Sequence, residues 1–241
     1  MTIRQLFQVA PMTLLFIVAF VGFAGYQAMA GVSLDAPSSQ DLLRFGANFL
    51  PLSLVNEPWR IVSSAFLHIG VLHLLFNSFA MYYFGQVAEQ IVGGVRFVAL
   101  FLLAAIGGNL FNLFITWQDV LAGEQIGLSA GASGGIMGVG AWLLVLALVK
   151  ARTPFMLNAR GLALVMMLNL IMGFAVDGID NAGHIGGAAM GVILGLAYAA
   201  ELRTKSQGGA LSWFWVAAAV LSLGFVWLWW VLQGWVLGIV G

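Results

Sequence analysis

Residues 131–148 read GASGGIMGVGAWLLVLAL: a small-residue turn, Gly131-Ala132-Ser133-Gly134, followed by an unbroken apolar run. Glycines on both sides leave the Ser133 hydroxyl unobstructed and let another backbone approach closely. A serine that opens a helix has that helix's free N–H groups beside it, where they can hold an oxyanion. Ser133 is therefore a candidate nucleophile, although a serine in this setting also serves as an ordinary helix N-cap. The rest of the chain must supply a base.

The run itself is about sixteen residues, or roughly 24 Å at 1.5 Å per residue, shorter than a bilayer core of about 30 Å. Lys150 and Arg152 pin its far end at one membrane face. Its serine end then lies below the opposite surface, where irregular backbone is tolerated only against protein or a water-filled cavity. Ser133 is expected to open onto a sunken aqueous pocket.

The wider chain is of the same kind. Over 241 residues, 62% are hydrophobic and 7% charged, with a mean hydropathy of +1.02, against about 25% charged in ordinary globular proteins. This composition predicts a polytopic membrane protein with no soluble domain. Formal net charge is zero, so no basic surface points to nucleic acid. Cysteine is absent, which excludes disulfides, thiolate metal sites and cysteine nucleophiles.

Seven helices are expected, at about 12–30, 69–92, 97–117, 133–148, 162–176, 182–200 and 211–237. Ala28-Met29-Ala30 has the look of a signal-peptide cleavage site, but one basic residue precedes the apolar run, so the first segment is kept as a helix. Met1 to Val9 reads as a short polar start. Gly31 to Phe66 mixes Pro37, Pro51 and Pro58 with charged and aromatic residues, and reads as an amphipathic element in the membrane interface with Trp59 at headgroup level. With a cytoplasmic N-terminus, Arg4, Arg96, Lys150, Arg152, Arg160, Arg203 and Lys205 all fall inside, as the positive-inside rule requires, and the C-terminus is external.

Polar side chains inside apolar helices are costly and face a cavity or a partner. His68 and His73 sit at the start of the second segment and His184 near the start of the sixth. The alternating topology then places Ser133, His73, Asn77 and His184 in one leaflet. Gly187, Gly191 and Gly195 recur at four-residue spacing on the face of His184, and Gly131, Gly134, Gly135 and Gly138 form a second small stripe. Close packing of these stripes is expected to bring His184 Nε2 to Ser133 Oγ, as an activated serine requires. His73 and Asn77, at i and i+4, share one face; they read as interhelical hydrogen bonders or as oxyanion donors.

Other chemistries fit poorly. No His-Glu-x-x-His is present, and three histidines without nearby acids make a poor zinc site. Asp177 and Asp180 lie in a polar break near the surface, unlike an intramembrane aspartyl pair. Asn109, Asn112 and Glu89 read as structural. A transporter would carry polar groups near the midplane and an inverted repeat, and neither is visible.

The chain resembles the rhomboid intramembrane serine proteases. The resemblance covers residues 10–202 and rests on Trp59-Arg60, on His68, His73 and Asn77 in the pattern His-x4-His-x3-Asn, on Gly131-Ala132-Ser133-Gly134, and on Asn181-Ala182-Gly183-His184-Ile185-Gly186-Gly187. It implies a six-helix core with an added C-terminal helix at 211–237. It also implies a Ser133 and His184 dyad without an acidic third member, an oxyanion hole from the Ser133 N–H with His73 and Asn77, and Trp59-Arg60 in a membrane-embedded loop. Glu89 matches a position that braces the structure. The substrates implied are single-span membrane proteins in the lipid bilayer, cut next to small residues near the outer leaflet; no cofactor is implied. Two features depart from the commonest pattern. Met137 stands where an aromatic residue usually stacks on the catalytic histidine, leaving His184 less rigidly held, and the seventh helix is Trp-rich, as for lipid contact. The competing reading is an inactive relative that binds membrane clients, but such proteins usually lack the serine or the histidine. Short length and the lack of a targeting segment point to a bacterial inner membrane.

Overall fold

A computed structural model of the chain describes residues 2–175, 180–205 and 210–240. Its helices are α1 (Ile3–Val9), α2 (Pro11–Met29), α3 (Ser39–Arg44), α4 (Arg60–Ser63), α5 (Val71–Ala80), α6 (Gln86–Val92), α7 (Gly94–Leu121), α8 (Ser133–Leu148), α9 (Ala159–Ala175), α10 (Asn181–Lys205) and α11 (Trp213–Val240). A π-helical turn, Met81–Gly85, joins α5 to α6, and short strands β1 (Asn48–Phe49) and β2 (Leu128–Ser129) pair antiparallel. Among the described residues, four helices are long and apolar enough to cross a membrane, and the bent pair Arg60–Phe66 with Val71–Val92 makes a fifth candidate. With the shorter apolar helices α8 and α9, this is a helical polytopic membrane bundle.

The expected and observed spans differ at several ends. Helix α1 replaces the polar start, because Thr2 and Gln5 form a reciprocal capping box. Helix α7 runs on to Leu121, through residues read as loop, and α10 runs on to Lys205. Hydropathy marks where lipid ends, and a hydrogen-bonded helix need not stop there. His68 lies outside the second span: Gly70, at φ +97°, and a 93° bend separate it from α5. Val176, the expected end of the fifth segment, and Asp177 lie outside the described residues.

Helix α8 is the axis of the bundle, with every residue from Gly135 to Leu143 buried. Helices α7 and α10 flank it at backbone distance. A methyl group at Gly187 or Gly191 would collide with the carbonyl oxygen of Gly134 or Gly138, and one at Gly138 with Ala104. Without a hydrophobic force between helices in lipid, such close contact is what holds them together.

Two buried carboxylates dock the outer helices. Glu89, 3% exposed, accepts from Met12 N (2.9 Å), Thr13 N (2.7 Å) and Thr13 Oγ1 (2.8 Å), and so caps the first turn of α2. Glu201 accepts from Ser212 Oγ and Phe214 N at the start of α11 and pairs with Arg96 at 3.0 Å. A negative charge at a helix N-terminus meets its free N–H groups and dipole together. Glu89→Ala leaves buried N–H donors unpaired and is expected to cost about 3 kcal/mol of stability. Glu89→Gln recovers part of that, because only one of its two polar atoms accepts. Unfolding in mixed micelles measures both.

Helix α11 is only partly lipid-facing. Trp227 and Trp230 are exposed, whereas Leu232 and Val236 pack with Leu50, Leu54 and Ile61, and Trp229 Nε1 donates to Ser53 O. Helix α11 therefore supports the long first loop.

Candidate active site

Ser133 is the first residue of α8. Ala132 occupies the N-cap, and no side chain caps the helix. The structure thus excludes the N-cap role, and Ser133 Oγ makes no hydrogen bond among the described residues. Gly131, at φ +143°, turns the chain into α8, and its N–H is held by Ser64 O at 2.9 Å.

His73 faces this turn. Its Nδ1 accepts from Ile69 N (3.3 Å), so the neutral ring carries its proton on Nε2. A methyl on Gly131 would lie 3.0 Å from that Nε2 and 3.6 Å from Ser133 Oγ. The donor nitrogen and the serine hydroxyl therefore flank one glycine face. Asn77, one turn further along α5, is buried, and its Nδ2 has no partner. A buried amide donor without a protein partner is uncommon, and Asn77 Nδ2 shares that state with Ser78 Oγ and Trp142 Nε1.

His184 is 4% exposed in the first turn of α10, with Nδ1 unpartnered. Its neighbour Gly183 presents a carbonyl to Gly134, the neighbour of Ser133. The glycine stripes thus bring the two helices together at the expected level. No hydrogen bond joins Ser133 to His184 in this structure, which departs from the expected contact. Resting sites often show such bonds long or open.

The remaining residues stand further back. His68 is buried, edge-on to His73 with ring centroids 5.4 Å apart and tilted against Phe20 at 5.2 Å. Asn181 lies against Gly173 of α9 with its amide unpartnered. Met137 packs on Ala141 and Met166, with Ala188 beside them, one turn along α10 from His184.

Arg60 and Trp59 organise the first loop. Arg60 pairs with Glu57 and donates to Leu43 O (2.7 Å) and Ala47 O (3.2 Å). Its guanidinium lies 4.9 Å from the half-exposed Trp59 ring, and that ring covers Gly46, where a side chain would not fit. From here a polar ladder reaches the serine turn. Asn48 donates to Asn109 O, Asn109 donates to Ile61 O and Ser64 Oγ, and Ser64 O receives Gly131 N. Asn109 thus braces the turn, in line with its structural reading. Asp180, read from the sequence only as part of a polar break, accepts a 2.8 Å hydrogen bond beside the turn from Ser129, which the sequence does not single out. Asp180 stands just ahead of a helix, a legible N-cap signal.

A bundle of helices long and apolar enough to cross a membrane, with Ser133, His73 and the first turn of α10 meeting around Gly131 and Gly134, is an integral membrane protein. Residues 55–201 match the family model of the Rhomboid domain. The chain is 32% identical over 192 residues to rhomboid protease GluP of Bacillus subtilis, covering 78% of this chain and 35% of that protein. It is 30% identical over 204 residues to rhomboid protease AarA of Providencia stuartii, covering 78% and 72%. It is also 30% identical over 190 residues to rhomboid-like protease 1 of Toxoplasma gondii, covering 78% and 61%. The chain belongs to the rhomboid family. It spans about a third of the Bacillus relative and most of the Providencia one.

Proposed function

We propose that this protein is an intramembrane serine endopeptidase that hydrolyses peptide bonds in or beside the transmembrane segments of single-span membrane proteins. The observation that carries the reading is Ser133 Oγ. It is uncommitted at the N-terminus of α8, faces the His73 donor across Gly131, and stands one residue from the glycine contact that seats the helix of His184. Relatives named as proteases support the same reading.

In this mechanism His184 takes the Ser133 proton and Ser133 attacks the substrate carbonyl. The oxyanion is held by the Ser133 N–H, His73 Nε2 and Asn77 Nδ2. The C–N bond then breaks as His184 gives its proton to the departing amine, and a water deprotonated by His184 attacks the acyl enzyme, releasing the acid and restoring the Ser133 hydroxyl. Small residues at the cleaved bond fit the narrow glycine-lined turn, and a substrate segment that unwinds readily exposes its carbonyls. The protein sits in a bacterial inner membrane with its N-terminus cytoplasmic, which places Ser133 towards the outer leaflet.

Asn77→Ala tests the oxyanion assignment. Removing one such donor typically lowers kcat about 10²-fold, and cleavage of a single-span substrate in liposomes is expected to fall by that factor at near-constant KM. Wild-type kcat in Asn77→Ala would remove Asn77 from the mechanism. Ser133→Ala tests the reaction itself, since it removes the attacking oxygen.

A further inference from the structure

The carboxylate of Asp180 holds two elements at once. Its Oδ1 accepts the N–H of Gly183 (2.7 Å) in the first turn of α10, and its Oδ2 accepts the hydroxyl of Ser129 (2.8 Å) on β2. The Asp180 main-chain oxygen also accepts from His184 N at 3.1 Å. Ser129 precedes Ser133 by four residues, and Asp180 precedes His184 by four. The carboxylate lies so close over Gly183 that a methyl there would collide with it.

We propose that Asp180 is a positioning residue that clamps the first turn of α10 to the strand feeding the serine turn, and so fixes the separation of Ser133 and His184. The proposal rests on the reading of those two residues as the catalytic pair. No hydrogen bond between their side chains sets the distance, so the backbones must. Glycine packing of α8 on α10 sets how closely the helices approach, but contacts between smooth surfaces resist sliding poorly. A carboxylate with one directed bond to each side opposes that sliding, and its charge at the N-terminus of α10 adds favourable dipole interaction.

The test compares Asp180→Ala, Asp180→Asn, Ser129→Ala and the Asp180→Ala/Ser129→Ala double variant in proteoliposomes. The readouts are kcat and KM on a single-span substrate, the labelling rate with a fluorophosphonate, and hydrogen exchange at the Gly183 amide. A misplacement approaching 1 Å costs up to about a hundredfold in rate, so Asp180→Ala is expected to lose about thirtyfold in kcat and labelling with KM unchanged. Its Gly183 amide, deprived of its acceptor, should exchange about tenfold faster. Asp180→Asn restores both, because its amide oxygen still caps Gly183 and the Ser129 hydroxyl accepts as well as donates. Ser129→Ala lowers kcat without affecting Gly183 exchange, and the double variant is no slower than Asp180→Ala, as for residues acting through one contact.

Wild-type labelling in Asp180→Ala overturns the proposal, as does a raised KM at constant kcat or full additivity in the double variant. A wild type that never labels, with Gly183 exchange responding as stated, removes the nucleophile assignment and leaves the clamp standing.

Discussion

Replacing Ser133 with alanine abolishes labelling by a fluorophosphonate and lowers cleavage of a reconstituted single-span substrate by about 10⁴-fold or more, while stability stays within about 0.5 kcal/mol of wild type. Both halves follow from the same geometry. The hydroxyl makes no hydrogen bond and caps nothing, since Ala132 holds the N-cap position of α8. Its removal therefore leaves no donor or acceptor stranded. Had it capped the helix, alanine would cost about 1 kcal/mol, and lost activity could be confused with lost fold. The small probe needs no recognition of a transmembrane segment, so labelling tests the nucleophile separately from the choice of substrate. Persistent labelling of Ser133→Ala would place the nucleophile elsewhere. A folded wild type that neither cuts nor labels would make this chain an inactive binder of membrane clients.

The elements legible from sequence are those set by local pattern. Helix α8 is read to its end residues because a glycine turn starts it and the charges of Lys150 and Arg152 follow its close. The paired glycine stripes are equally plain, since four-residue spacing is itself the contact. Illegible parts depend on contacts distant in sequence. Arg60 reaches back to Leu43 O, and Asn109 to Ser64 Oγ. Nothing in either neighbourhood announces the partner. Glu89 is apparent as a buried acid, but its target, the first turn of α2, lies 76 residues away. Met137 is a similar case: the motif sets it against the histidine helix, but its packing on Met166 of α9 is a contact distant in sequence that the motif does not announce.

Gly187→Ala is expected to lower kcat and labelling rate about a hundredfold and to cost about 1–3 kcal/mol of stability. The added methyl meets the Gly134 carbonyl oxygen head-on, with the carbonyl carbon at 2.6 Å and Cα at 3.0 Å. Backbone atoms cannot swing aside as a side-chain end does, so α10 must withdraw from α8. Gly134 follows Ser133 directly, and the withdrawal therefore opens the gap that the Ser133 proton must cross. Gly191→Ala makes the same collision one turn deeper, with the Gly138 carbonyl carbon at 2.7 Å. It should match Gly187→Ala in stability but lose less activity, because the helices are wedged apart further from the serine. Gly224→Ala on α11, with nothing within 4 Å of the new methyl, is the neutral reference. Equal activity losses at Gly187 and Gly191, tracking stability alone, would mean that the stripe holds the bundle together without setting the reacting distance. A loss graded towards the serine end would tie the small residues of α10 to the chemistry.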